Sequence, residues 1–262
     1  LFCFSQKIYD YPVKQKIDSL VNVQNEYYYD RNYDESIKVC QKLIELGFEE
    51  SIYKGYKNML LSKYLKYYPN KDLITLNEAI ESAKSFITFM KNSVNYRNDY
   101  FTIYETYGRI FQYKYELAEI KGKVEIFMDA LDFLDKAENV VKYLGKEQIS
   151  TIKFNKAKTY MKIYKLSFDH SRLFIGLKNC EEANDYYSNL TTDQIMYFNS
   201  NQLLAKYHLE LSLIENFEYH KQSAEEIILD LDKTYNDSYY YHRIKDIDSL
   251  KNRMKKLINQ KK

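Results

Sequence analysis

The sequence predicts an all-α protein, a right-handed α-solenoid of about five helical hairpins closed by a C-terminal helix. Three observations point there. The 262 residues hold only six glycines and two prolines, far fewer than turn-rich β architectures need. After Pro12 the apolar spacing is helical almost throughout: in "DALDFLDKAENVVKYL", Ala130, Phe133, Leu134, Ala137, Val140, Val141 and Leu144 follow the three-and-four rhythm of a buried helix face. Finally, helices recur in pairs whose second member carries a small residue and, seven later, an apolar or small one: Ser36 with Leu43, Ala79 with Phe86, Ala130 with Ala137, Gly176 with Ala183, Ala224 with Leu231. Successive small residues are 43, 51, 46 and 48 apart, a repeat of about 47 residues.

Taken in order, the elements are separated by short polar breaks: "DRNYD" near Asp30, "YPNKD" near Pro69, "NSVNYRND" near Asn95, "GKEQ" near Gly145, "FDHS" near His170, "SNLTTD" near Asn189 and "TYNDS" near Asn236. Asn, Asp and Ser at such points cap helix starts or form turns. The first helix of each pair has a companion signal, a small or polar residue followed three later by a ring: Gln24 with Tyr27, Gly108 with Phe111, Ala157 with Tyr160, Ala205 with His208. Small residues let helices approach, and the ring fills the space beside them. The second pair's first helix, within Ser51 to Tyr68, is the least regular, with Leu61 and Tyr64 as its best match. In the tail, Leu250, Met254 and Leu257 form one stripe, as a helix capping the last repeat requires. The expected divisions are residues 1–12, an N-terminal strip; 13–236, the repeat array; and 237–262, a basic capping helix.

Charge excludes a general attraction to nucleic acid, since 39 basic and 37 acidic residues leave +2. The tail differs: from Arg243 to Lys262 eight basic residues face Asp246 and Asp248, a net +6 that leaves −4 elsewhere. Its cationic face suits capping first, and contact with anionic lipid or nucleic acid second; "SYYYHR", Tyr239 to Arg243, reads as a ring cluster beneath that cap. Cys3, Cys40 and Cys180 are odd in number and far apart, outlining neither a disulfide framework nor a zinc site, and the latter two read as small core residues. "LFCFSQ" reads as the end of a signal region with Cys3 and Ser5 before a cleavage point, which implies export to the periplasm or surface of a bacterial cell; without it the protein is cytoplasmic. No run of ~18 apolar residues spans a membrane. The four histidines show no ligand spacing, there is no glycine-rich phosphate loop, and no nucleophile faces a base, so the reading is non-catalytic, with neither cofactor nor metal. Asn189-Leu190-Thr191 and Asn236-Asp237-Ser238 match the glycosylation acceptor pattern.

"YGRIF", Tyr107 to Phe111, with Tyr104 ahead of it, and "NYDESIKVCQKLIEL" resemble the two helices of a tetratricopeptide repeat. The resemblance covers roughly residues 15 to 235 and departs from that family in longer repeats, in Phe48 where a closing proline is expected, and in the second repeat's first helix. It implies a concave groove lined by the first helices and a non-catalytic scaffold that binds a protein or peptide. In this register Tyr27 packs and Tyr33 closes the turn over it, while Tyr28 and Tyr29 face the groove or cover the neighbouring repeat. The residue after each small position is Asn25, Arg109, Lys158 and Lys206, with Gln112, Tyr113, Asn155, Lys162 and Gln202 on the same wall. Such donors and cations favour acidic or C-terminal carboxylate groups on a peptide, or else they form an ordinary solvated face diluted by Glu105 and Glu210. The family's carboxylate clamp is not reproduced, because Val21 replaces its first lysine. The alternatives are a peptide-responsive regulatory module and, behind it, a nucleic-acid-binding helical repeat.

Overall fold

The computed structural model describes residues 11–189, 194–235 and 241–260. Among the described residues it contains no strand and eleven helices: α1 (Tyr11–Tyr29), α2 (Tyr33–Glu45), α3 (Glu49–Asn70), α4 (Leu73–Asn92), α5 (Tyr100–Lys121), α6 (Val124–Val141), α7 (Lys146–Ser167), α8 (His170–Ser188), α9 (Gln194–Leu211), α10 (Phe217–Tyr235) and α11 (Tyr241–Gln260). None of them is long and apolar enough to cross a membrane. The signal reading at Cys3 and Ser5, Leu190 and Thr191 of one acceptor pattern, the whole of the other, and Tyr239 and Tyr240 of the ring cluster lie outside the described residues.

The helix starts follow from side chains that accept orphan backbone N–H groups. Asp72 accepts from Ile74 N and Thr75 N, Asp169 from Ser171 N, and Asn32 from Glu35 N. Three turns lacked a polar break in the sequence, and each uses one residue of positive φ: Gly47 (+75°), Gly122 (+61°) and Asn216 (+40°). Pro69, expected in a break, lies inside the last turn of α3, which Lys71 closes at φ +51° by donating its N–H to Tyr67 O at 2.8 Å.

The chain forms two compact units, Leu1–Lys121 and Gly122–Lys262, so the third expected hairpin contributes α5 to one and α6 to the other. In the first unit each helix packs on the next, α1 through α5. Ser36, Ala79, Leu43 and Phe86, the expected packing positions of α2 and α4, are all buried. Around Ser36 the core is polar and closed: Gln24 Nε2 donates to Ser36 Oγ at 2.9 Å, Ser36 and Ser62 share a 2.8 Å bond, Ser62 Oγ donates to Asn58 O, and Asn58 Nδ2 donates to Gln24 Oε1 at 2.6 Å. Every buried polar group of the ring is thereby satisfied, which fixes α1, α2 and α3 in one register.

In the second unit α7, α9 and α11 lie side by side, with α8 and α10 packed against them. Ala130, Ala137, Gly176, Ala183, Ala224 and Leu231 are buried as their spacing predicts. Gly176 makes room for Tyr207, whose hydroxyl reaches past α8 and donates to Ala157 O at 2.6 Å. Between α6, α7 and α8 lies a charge network: Lys156 pairs with Asp135 at 2.6 Å and with Glu138, and Lys153 bridges Glu138 (3.0 Å) to Glu182 (2.9 Å). Cys40 and Cys180 are core residues, and burial pushes the Cys40 thiol up to about 12 and the Cys180 thiol higher.

Candidate functional site

The residues expected on one wall divide between the units, Asn25, Tyr28, Tyr29, Arg109, Gln112 and Tyr113 in the first and Asn155, Lys158, Lys162, Gln202 and Lys206 in the second. Each set is therefore described within its own unit.

On α1, Asn25 and Tyr27 are half-buried beside the fully enclosed Gln24. Tyr28 is half-buried too, edge-on to Tyr29 at 5.6 Å and to Tyr33 at 6.2 Å. Tyr33 thus closes the turn over Tyr28, correcting the expectation that it would cover Tyr27: Arg31 at φ +60° turns the chain so that α2 begins beside Tyr28. Tyr29 is 78% exposed. On α5, Gln112 is exposed and donates to Tyr64 Oη at 3.1 Å. Tyr113, expected on the groove wall, is a core residue instead: it is 1% exposed and donates to Leu60 O at 3.3 Å. Burial raises its phenol to about 12, with the charge of Arg109 opposing. The sequence places its neighbour Gln112 outward, and one residue on a helix turns the side chain by about 100°, enough to bring Tyr113 under α3.

The α3 helix that defied alignment adds two rings to this wall. Tyr64 lies against both Tyr68 and Tyr113, with centroids 5.8 Å away in each case, and Tyr68 carries the Lys71 ammonium 4.3 Å from its centroid. The proposed match of Leu61 to a small position does not hold, since Leu61 is only half-buried; Ser62, one residue on, is the buried one.

On α7, Lys158, Lys162 and Lys165 form a stripe of four-and-three spacing beside the buried row Ala157, Met161 and Tyr164. Lys158 and Lys165 are exposed, Lys162 and Asn155 half-buried. On α9, Lys206 is half-buried and donates to Gln202 Oε1 at 3.0 Å. Burial lowers the pKa of this ammonium; Asp246 opposes the shift, while Lys165, Arg253 and Lys162 reinforce it. Arg253, on α11, in turn holds Glu210 of α9 at 2.5 Å. Three cations from α7 and α11 therefore act on Lys206 of α9, against Asp246, while Glu210 is paired with Arg253. Lys165 and Arg253 were missed in the sequence: the first lies off the residue-after-small register, and the second belongs to the helix read as a cap.

No protein-family profile matches the chain, and no curated protein matches it. Among solved structures, the nearly identical TPR-like repeats of a kinesin light chain from Podosopora anserina superpose with a TM-score of 0.54 at 10% identity, covering 85% of this chain and 98% of that one. This chain has a TPR-like helical-repeat fold. A point-substituted form of the same repeats gives 0.55 at 12% identity, over 85% and 97%. At such identity the likeness concerns the TPR-like backbone alone, so the site rests on the residues above.

Proposed function

We propose that the TPR-like chain is a non-catalytic protein-binding scaffold, and that the α7, α9 and α11 wall takes an acidic peptide segment. The carrying observation is the half-buried Lys206 ammonium, which the charges of Lys162 and Lys165 of α7 and Arg253 of α11 reach from two other helices, with Asp246 acting the other way and Glu210 paired to Arg253. Like charges gathered where one is half-buried cost stability, and clusters of this kind mark ligand sites. A carboxylate-bearing segment offsets that repulsion and gives the ammonium groups charge-assisted acceptors. Arg253 adds a planar donor that suits a terminal or side-chain carboxylate. The first unit, taken by itself, offers Tyr28, Tyr29, Tyr64 and Tyr68, broad aromatic area with polar tips suited to a peptide contact of its own.

The test is fluorescence anisotropy with two labelled probe peptides, one acidic with a free C-terminus and one lysine-rich. Wild type should bind the acidic probe, more weakly as salt rises. Lys206→Glu combined with Lys165→Glu should weaken it about tenfold or more, equivalent to ~1.4 kcal/mol. Equal affinity for both probes, or unchanged affinity in a folded double variant, would remove the acidic-peptide reading. A clear preference for single-stranded RNA of matched charge would replace it with nucleic-acid binding.

A further inference from the structure

Two of the four histidines meet in the second unit. His208 on α9 and His220 on α10 are each 5% exposed, and their Nδ1 atoms are 2.9 Å apart. The rings lie 5.2 Å apart at 36°, walled by Tyr219 at 6.2 Å from His208 and 5.0 Å from His220. A neutral imidazole protonates one nitrogen and leaves the other as an acceptor. At 2.9 Å the facing Nδ1 atoms must share a single proton, one donating and the other accepting. Protonating both would set two donors and two charges against each other inside the hairpin.

The surroundings offer little relief. Glu215, in the turn, stands 3.9 Å from His220 Nε2 and is itself largely exposed. Charges on neighbouring elements are engaged elsewhere: Glu210 with Arg253 of α11, Lys221 with Glu218 on α10, Lys206 with Gln202 on α9, and Arg172 with Asp169 at the start of α8. On α7, Lys162 and Lys165 act on Lys206. The groups acting on the pair are its own two rings and Glu215. Burial holds the His208 pKa down at about 4, with the second ring pushing the same way, and burial lowers His220 against the pull of Glu215.

We propose that the His208–His220 contact is an acid-operated latch on the α9–α10 hairpin, closed while the two rings share one proton and opened when each takes its own. The turn it spans is short and built from local bonds, Ser212 N to His208 O at 2.9 Å, Glu215 N to Leu211 O at 2.9 Å and His220 N to Asn216 O at 3.2 Å. Release of the rings removes the side-chain tie across that turn. The direction follows from linkage. An opened or unfolded histidine titrates near its ordinary ~6.5, whereas the closed pair resists protonation. Stability is therefore fully present above about pH 6.5 and is lost as pH falls from there toward 4. Gln202 and Lys206 also stand on α9, so opening would disturb the wall proposed above; that consequence rests on the binding reading, and the latch does not.

The experiment is hydrogen exchange with peptide-resolved mass spectrometry on the full chain at pH 7.5 and 5.5, each corrected for the intrinsic rate. Opening of residues 204–224 should rise about tenfold at pH 5.5, while residues 33–70 change little. His208→Gln with His220→Gln, which keeps hydrogen-bonding capacity without titrating, should abolish the rise. If that variant does not fold, the imidazole proton signals of wild type decide: two of the four histidines should titrate well below the usual range. A rise no larger in 204–224 than elsewhere, a rise that survives in the folded double variant, or four histidines titrating near 6.5 would each overturn the latch.

Discussion

A Cβ on Gly176 would stand 1.9 Å from the Tyr207 hydroxyl, and one on Gly55 would stand 2.7 Å from Ile44 Cγ1 and 2.9 Å from the Cys40 carbonyl oxygen. Neither neighbour can retreat freely. Tyr207 is fully buried and tied to Ala157 O, while the Cys40 carbonyl belongs to helix backbone. Overpacking of this kind costs about 1–3 kcal/mol. Gly176→Ala and Gly55→Ala should each lose that much stability in urea unfolding, seen as a lower midpoint with the slope of the transition unchanged. The two positions were unequally legible. Gly176 falls on the 47-residue rhythm of small residues, so its role could be read without coordinates. Gly55 faces back toward the preceding helix, a contact that no periodicity within α3 announces.

Among the helices, the second members of the pairs were the legible ones. Their small and apolar residues seven apart are buried at every repeat, because this face packs against an adjoining helix and only small or apolar side chains fit. The first members carry both a core face and an outer wall, and their pattern blurs. In α1 and α3 polar residues interrupt the core face, the Gln24–Ser36–Ser62–Asn58 ring standing beside Ile17, Met59, Leu60 and Tyr67, so a search for apolar spacing could not find the register of α3. Tyr113 was misplaced for a related reason, since tyrosine serves both faces. Two buried lysines show how partners decide the sign of a contact. Lys63, 8% exposed, reaches Ser82 Oγ at 2.8 Å and has Glu78 only at 3.9 Å, and burial lowers its pKa. Lys156 is equally enclosed; burial opposes its charge, but hydrogen bonds and charge from Asp135 and Glu138 outweigh that and raise its pKa. Replacing a poorly paired buried charge with an apolar chain of similar length is neutral or stabilising, whereas removing a well-paired one strands its partners. Lys63→Met should therefore raise thermal stability or leave it unchanged, and Lys156→Met should lower it by about 1–2 kcal/mol, less than for a fully buried pair because Asp135 is mostly solvated. The folded pKa of Lys156 is raised, so its contribution is complete below the ordinary lysine range and fades as pH climbs through the folded value. The Lys156→Met deficit should accordingly close only in strongly alkaline solution, whereas any gain from Lys63→Met, whose folded pKa is lowered, should disappear as pH rises through that lowered value to the ordinary lysine range.

At the scale of the molecule, each of the two compact units encloses one cysteine among the described residues, Cys40 in the first and Cys180 in the second, so the chain carries its own pair of reporters. A thiol reacts as thiolate, and both thiols are wholly buried with pKa values pushed up by desolvation. Modification therefore requires opening of the surrounding helices, and its rate measures that opening. In native buffer both sites should label orders of magnitude more slowly than a free thiol under the same conditions. Peptide-resolved mass spectrometry keeps Cys3 separate. In helical-repeat arrays stability is set largely by neighbouring elements, which makes the response to a local defect directional. Gly176→Ala should speed labelling of Cys180, four residues along the same helix, more than that of Cys40. Gly55→Ala, whose clash is with the Cys40 carbonyl itself, should do the reverse. Equal acceleration of both thiols by either variant would mean that the units open as a single cooperative body, and the assignment of each cysteine to its own unit would then carry no energetic meaning.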